Sequence, residues 1–480
     1  MGARSGTNYI NSLRKLKAEI WLGGERVGDV TQHPALMHCA RSIASLYDMQ
    51  MERPEAMTFR TGDGDRVGLS FIQAANAQEV HKRSLTMKRW AEYSGGMLGR
   101  TPDYLNAALT AMASASKFFA ESEPRFGENI INYYLQARRF DWCATHTLVN
   151  PRASRAHGWA GDTDADLALR LVRKTDDGIV VSGCRMLATL APLSEELHVF
   201  PSTVLKVEPA AEPFALAFAI PCNAPGLRFI CRDPYDVGRS HFDHPLASRF
   251  EEMDAVAIFN EVLVPWERVF LCGDVVRCNA LFGATDAVVQ MMHQVAVKNV
   301  AKSEFLLGLA AKIAEVSDAM SLPHVQERLA EMIMTTETMR AFLRAAEADA
   351  APNKWGMFSP ARAPLDTARN LFPRLYPRMV EIIQLNSSSS LMATPSEADF
   401  KAAIGPDIER YLGAAKAAPR ERVALYRLAW EVACSAFGGR QVLYERFFFG
   451  DPVKMASALV ANTDLNPLIE RINAFLARTD

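Results

Sequence analysis

The sequence lacks every feature that would place it on a nucleic acid, in a bilayer or outside the cell. Fifty-three Lys and Arg stand against 55 Asp and Glu, a formal net charge of −2. No basic field exists to hold a phosphate backbone, and no run of like charge forms a tail. No apolar run is long enough to span a membrane. The N-terminal MGARSGTNYINSL has no apolar core of a signal peptide, and Gly6 stands where a myristoylation signal needs Ser or Thr. A cytoplasmic location is the expectation.

The eight cysteines (Cys39, Cys143, Cys184, Cys222, Cys231, Cys272, Cys278 and Cys434) include no CxxC pair. That pattern gives neither a zinc site nor a disulfide framework, so reduced thiols and no metal are expected. Nucleotide loops are missing too. Gly62 and Gly64 begin a GxG, but Val67 occupies the third position required for GxGxxG and Gly68 comes one too late; no GxxxxGK[ST] exists. A turn is the better reading there, and any flavin or nicotinamide must be held by another fold.

What is present is ordinary globular composition, 49% hydrophobic and 22% charged over 480 residues, enough for two or three domains. Residues 1–142 read as mostly helical, with hairpin or loop insertions at 24–34 and 60–71. Thr101 is a candidate N-cap with Pro102 at the first helical position, and Leu105, Leu109, Met112 and Phe119 share one face. Between 143 and 275 the pattern becomes short apolar strands bounded by Gly or Pro: 175–183, 214–221, 226–232 and 255–265, a β sandwich or barrel. From 276 to 480 the helical period returns. Val325, Leu329, Met332, Thr336, Met339 and Leu343 form one stripe, and Phe305, Leu309, Ile313 and Val316 another. A helix over 421–437 is expected to stop at Gly438–Gly439.

Four segments could carry chemistry. In GGMLGRTPDYLNA, Arg100 and Tyr104 bracket a helix start, where backbone N–H groups favour negative charge; a surface Arg and an interface Tyr are the bland alternative. In DWCATHTLVNPRASRA, His146 sits at the change from helix to strand, with Arg152 and Arg155 able to meet an anion; a structural His and solvated loop charge are the alternatives. SGCRMLATLAPLSEELHVFPST contributes Thr189, Ser202 and Thr203, and GGRQVLYERFFFGDPVKM places a glycine break after Phe447, Phe448 and Phe449.

Together with SGTNYINSL, DVTQHP, SIASLYDMQ, DHPLASRFEEMDA, VLVPWERVF and NLFPRLYPR, these segments resemble the oxygenase component of two-component 4-hydroxyphenylacetate 3-monooxygenases almost end to end. The resemblance implies an acyl-CoA dehydrogenase-like fold: a helical domain, a central β domain and a C-terminal helical bundle, assembled as a tetramer. It implies hydroxylation of a phenol ortho to its hydroxyl by reduced FAD and O2, through a C4a-hydroperoxyflavin, with a separate NAD(P)H–flavin reductase supplying FADH2. By the same resemblance Arg100, Tyr104 and His146 act on the phenol oxygen, and Ser202 and Thr203 lie near the substrate's other end. His146, Thr147, Leu148, Arg152, Ala153, Ser154, Arg155 and Thr189, with Asp451, Pro452, Val453 and Lys454, line FAD. Arg152 departs from the family's Gln.

Three rivals are weighed against this reading. A 4-hydroxybutyryl-CoA dehydratase needs cysteine ligands for an iron–sulfur cluster; this chain keeps His293 but has Val300 seven residues on. An acyl-CoA dehydrogenase needs a carboxylate base that no segment nominates. An inactive flavin-binding protein has no reason to keep Arg100, Tyr104 and His146 together.

Overall fold

A computed structural model of the chain describes residues 2–151, 167–201, 204–236 and 238–478. The first third is helical: α1 (Gly6–Leu16), α2 (Met37–Glu52), α3 (Pro54–Met57), α4 (Ala77–Tyr93), α5 (Pro102–Ser114), α6 (Ser116–Ala120) and α7 (Pro124–Phe140). Two hairpins interrupt it. Strands β1 (Ile20–Leu22) and β2 (Glu25–Arg26) turn at Gly23–Gly24, earlier than expected, because both glycines adopt positive φ. Strands β3 (Thr58–Arg60) and β4 (Arg66–Gly68) close the second hairpin.

The middle carries β5 (Ala144–Thr147), β6 (Arg170–Lys174), β7 (Gly178–Thr189), β8 (Glu196–Val199), β9 (Leu216–Pro221) and β10 (Leu227–Cys231). After the short α8 (Ala247–Phe250) come β11 (Asp254–Pro265) and β12 (Val269–Cys272). They form one ten-stranded mixed sheet in the order β12-β9-β8-β5-β7-β11-β10-β1-β2, with β6 on β7. The sheet thus recruits β1 and β2 from the helical first third, through a parallel pairing of β1 with β10.

The last part is helical again. It runs through α9 (Val275–Ala284), α10 (Ala287–Val316) and α11 (Pro323–Ala348), then a small β13–β14 ribbon (Ala351–Pro352, Phe358–Ser359). Next come α12 (Arg362–Ser387), α13 (Glu397–Lys401), α14 (Gly405–Tyr411) and α15 (Pro419–Ala433). The chain ends with α16 (Ala436–Phe447), α17 (Pro452–Ala461) and α18 (Asn466–Leu476). Helix α10 is buried on nearly every side, packed by α4, α5, α11 and α12. Among the described residues no helix is long and apolar enough to cross a membrane.

Two local expectations are corrected. Thr101 does precede α5, but its hydroxyl donates to the Asp103 carboxylate at 2.5 Å and makes no cap to the backbone. Asp103 is wholly buried, and the demand of its oxygens for donors outweighs a cap. Nor do Gly438–Gly439 stop a helix. The stop falls at Cys434–Ser435, and Ser435 accepts from the Gly438 N–H to start α16, which runs through both glycines. A Cβ on Gly438 would lie 2.3 Å from the Val432 carbonyl oxygen, so the glycine serves the close crossing of α15 and α16.

That crossing positions a clamp between helix and sheet. Arg440 on α16 reaches Asp254 at 2.7 and 3.0 Å and Glu252 at 2.9 Å, at the start of β11. Arg232 adds a bond to Asp254 at 3.1 Å. Burial pushes the Asp254 carboxyl up, but Arg440 and Arg232 outweigh it and hold it down at about 2.

Gly438→Ala is expected to cost about 1–3 kcal/mol through overpacking. Gly439→Ala, with open space around its Cβ, should be neutral or stabilising by up to about 1 kcal/mol. Paired urea melts test this, and equal effects at both positions would refute the crossing argument. The clamp also predicts a pH dependence. An unfolded Asp titrates near 4, so the clamp's contribution, about 2 kcal/mol, is complete above about pH 4 and is lost as pH falls toward 2. The stability gap between wild type and Asp254→Asn should therefore be constant above pH 4 and narrow below it.

Candidate active site at the α5 entrance

Three of the sequence-predicted residues meet where the α5 N-terminus faces the sheet. The Arg100 guanidinium carbon lies 4.1 Å from the centre of the Tyr104 ring, and the Tyr104 and His146 rings are 5.7 Å apart. All three side chains are buried. Helix α5 delivers Tyr104 from its first turn, while β5 delivers His146 from the sheet. Strand β5 is set in place by Glu195, which accepts from the Cys143 N–H at 2.9 Å and is itself held by Arg4 at 2.6 Å.

Arg100 is enclosed by aromatic faces, with Tyr444 at 5.4 Å and Phe448 at 5.2 Å, and those two rings stack on each other at 4.7 Å. Gly99 admits this wall, since a Cβ there would lie 2.3 Å from the Tyr444 hydroxyl. Arg100 Nε and Nη1 and the Tyr444 hydroxyl are buried without a hydrogen-bond partner. A buried guanidinium with free N–H groups is costly unless an anionic oxygen meets it.

The electrostatics separate the three groups. Burial works to lower the Arg100 pKa, but Tyr104, Tyr444 and Glu252 raise it above the ordinary arginine range, so it stays charged. Burial raises Tyr104, partly offset by Arg100, so its phenol stays protonated. Burial, then the positive Arg100 and the neighbouring His198, hold His146 well below the usual histidine value. His146 is therefore a neutral base beside a fixed cation.

Thr189 joins the site through the clamp. Its hydroxyl donates to Asp254 at 2.8 Å, Arg440 bridges Asp254 to Glu252, and Glu252 accepts from the Arg100 backbone N–H at 2.5 Å. Leu148 stands just past β5, where its carbonyl accepts from the buried Arg185. Asp451 lies apart from the trio's contacts: its carboxylate accepts from the Val453 and Lys454 N–H groups at 2.9 and 3.0 Å and caps the exposed α17, entered at Pro452. Arg152, Ala153, Ser154, Arg155, Ser202 and Thr203 lie outside the described residues.

Several residues of this site escaped the sequence reading. Glu252, Asp254 and Arg440 stand in segments that carry the resemblance but were given no role. Lys298 and Lys302 each lie 2.6 Å from Glu445 Oε1, with Lys298 5.3 and 5.0 Å from the Tyr444 and Phe448 ring centres and Lys302 4.7 Å from that of Tyr376. Two lysines one turn apart in the apolar-rich stretch 295–302 were the available signal. His293 is engaged elsewhere, 3.0 Å from Glu347 and 3.4 Å from Arg83. A cavity of about 530 Å³ bordered by Lys88, Glu304, Arg340 and Glu347 holds none of the predicted site residues.

Two family models match, 4-hydroxyphenylacetate 3-hydroxylase N terminal over residues 5–271 and C terminal over 278–477. The chain is 47% identical over 478 residues to a 4-hydroxyphenylacetate 3-monooxygenase oxygenase component from Geobacillus sp. (strain PA-9), covering 99% of this chain and 97% of the relative. Its fold matches the solved oxygenase component of 4-hydroxyphenylacetate 3-monooxygenase complexed with FAD and 4-hydroxyphenylacetate, with TM-score 0.95, 46% identity, and coverage of 99% and 98%. An archaeal 4-hydroxybutyryl-CoA dehydratase from N. maritimus shares the fold alone, at TM-score 0.89 and 19% identity over 99% of this chain and 96% of that one. The fold is acyl-CoA dehydrogenase-like, mainly helical around a central mixed sheet. With both halves matched and near-complete coverage at 47% identity, the chain belongs to the 4-hydroxyphenylacetate 3-hydroxylase family.

Proposed function

We propose that this chain is the oxygenase of a two-component phenol hydroxylase, using reduced FAD and O2 to hydroxylate a 4-hydroxyphenylacetate-like phenol ortho to its hydroxyl. The observation that carries the reading is the buried Arg100 guanidinium with unpaired N–H groups, beside the protonated Tyr104 and the neutral His146. A phenol oxygen suits this setting. His146 takes or shares its proton, while Arg100 and Tyr104 stabilise the negative charge left behind. Charge on that oxygen spreads to the ortho carbon and makes it a better nucleophile. Ser202 and Thr203 would hold the far end of the substrate.

Reduced FAD, when bound, supplies with O2 the electrophilic oxygen atom. The residues on hand fit it: Thr147 Oγ1 and Asn150 Oδ1 are buried without partners in the segment matched to flavin, which also includes His146 and Leu148. Arg152, Ala153, Ser154 and Arg155 continue that segment, and Asp451, Pro452, Val453 and Lys454 would complete the lining. The single Thr189 proton is directed to Asp254. Toward a ligand Thr189 offers only lone pairs, which suit the N5–H donor of a reduced flavin. A buried, aromatic-walled site also keeps water from the reacting oxygen.

The same reading includes a separate NAD(P)H–flavin reductase, a cytoplasmic location, division of the chain near residues 142 and 275, and a homotetramer. Supporting assembly, α17 and α18 present Val453, Val460, Leu468, Ile469, Ile472 and Phe475 in exposed positions, an apolar surface that a second copy would cover.

With supplied reduced FAD, Arg100→Ala and His146→Ala should each lower catechol formation about 10²-fold or more while reduced FAD still binds, and Tyr104→Phe should cost less. Near-normal hydroxylation in both Arg100 and His146 variants would move the substrate elsewhere. Thr189→Ala should release more hydrogen peroxide per catechol formed; unchanged coupling would leave Thr189 a strand residue. Without an added reductase the protein should not oxidise NADH at an appreciable rate.

A further inference from the structure

Behind His146 lies a second buried histidine that the proposed chemistry has not used. Strands β5 and β8 run parallel with His146 directly paired to His198, so the two side chains leave the same face of the sheet across one strand spacing of about 4.8 Å. His198 belongs to a chain of polar contacts. Its Nε2 lies 2.9 Å from the Tyr133 hydroxyl on α7, Tyr133 is 3.0 Å from Glu196 Oε2, and Glu196 is 2.7 Å from Arg268. His198, Tyr133 and Glu196 are buried, whereas Arg268 reaches partial exposure just after β11.

The proton inventory fixes the direction of these bonds. Tyr133 owns one proton and has two neighbours. Glu196, ion-paired to Arg268, accepts it, so His198 Nε2 must be the donor toward the Tyr133 oxygen. The open nitrogen of His198 is then Nδ1, an acceptor on the residue that pairs with His146 in the β5–β8 register. Other groups facing this path are Arg100 and Tyr104 at His146, and Glu195 (held by Arg4) and the Cys222 thiol beside Glu196.

We propose that His198, Tyr133 and Glu196 form a proton wire that carries the phenol's proton from His146 toward Arg268 at the surface. It rests on the reading of Arg100, Tyr104 and His146 as the phenol site. One proton arrives at His198 Nδ1 as the Nε2 proton passes to the Tyr133 oxygen and the Tyr133 proton passes to Glu196. The phenol becomes phenolate, the Glu196 carboxylate becomes a carboxylic acid, and net charge is conserved. Burial and the cation of Arg268 hold His198 at about 3. It is a poor place to store a proton, but a relay needs no storage because one leaves as the other enters. Burial raises the Glu196 carboxyl, against the opposing pull of Arg268, which favours it as the acceptor. His198 and Tyr133 are thus positioning and relay residues that do not touch the substrate.

The test uses the full-length protein and 4-nitrophenol, whose anion is yellow and whose ionisation needs no flavin. After rapid mixing below the probe's own pKa, wild type should show fast ionisation with a solvent deuterium effect. Tyr133→Phe and His198→Gln should slow that step at least tenfold while leaving the final phenolate yield and the probe's affinity within about twofold. Imidazole should restore part of the rate in His198→Ala. A purely structural role would instead change yield and affinity together. Circular dichroism and FAD binding check folding, and His198→Gln carries the test if Tyr133→Phe is unstable. Wild-type ionisation rates in both variants, with His146→Ala impaired, would overturn the wire alone. Full-rate ionisation in His146→Ala would overturn the site reading and the wire together.

Discussion

The arrangement around α5 depends on one ion cluster, Arg440 of α16 against Asp254 and Glu252 at the start of β11. Removing Arg440 would leave two carboxylates at a buried seam with only Arg232 near Asp254, a situation that costs several kcal/mol when a partner is deleted. The cluster also transmits position. Glu252 uses its other oxygen on the Arg100 amide, and Asp254 uses one of its own on Thr189. A residue from the C-terminal helices therefore sets both a group expected at the substrate and a group expected at the flavin. Neither segment could shift without breaking charge-assisted bonds that are shorter and stronger than neutral ones.

Behind the aromatic wall a second cluster has the opposite balance. Lys298 and Lys302 share one carboxylate, Glu445, so one positive charge is left over next to Tyr444 and Phe448. Burial pushes Lys298 down to about 8, while Glu445 resists the shift. Lys298 lies 5.3 and 5.0 Å from the centres of the two rings that also border Arg100. At interior dielectric the excess charge adds to the potential that a phenolate oxygen would feel, without offering a competing hydrogen bond.

Much of this fold was legible because helices repeat. The stripes at Val325–Leu343 and Phe305–Val316 fall on long helices with buried faces, and α5 begins at Pro102 as its sequence suggests. Glycine misled where tertiary contact outranked local preference: Gly438 looks like a helix stop but permits a close crossing. Strand β5 has only four residues, ATHT, with no apolar alternation, so nothing local announced that His146 would sit in a sheet beside His198. The clamp was illegible for a different reason. Arg440 and Asp254 are 186 positions apart, and no periodicity in either segment encodes their meeting. The resemblance located the trio, but the carboxylates that orient it became visible only through coordinates.

Burial acts on this site in two directions, and the proposed chemistry would use both. Desolvation drives His146 and His198 toward the neutral form and Tyr104 and Tyr133 toward the protonated form. Arg440 resists the same pressure because Asp254 and Glu252 accompany it, and Arg100 because phenol oxygens and Glu252 surround it. The outcome is a pocket where bases are empty, phenols are full and positive charge is fixed. In water at neutral pH a phenol has no reason to ionise. On the proposed reading the neutral imidazole would take the proton and the fixed guanidinium would favour the anion, so ionisation would become favourable for a group whose oxygen reaches Arg100. A substrate lacking that hydroxyl would leave the guanidinium as unpaired as it is in the free protein, and its binding would forgo the interaction that offsets burying the charge.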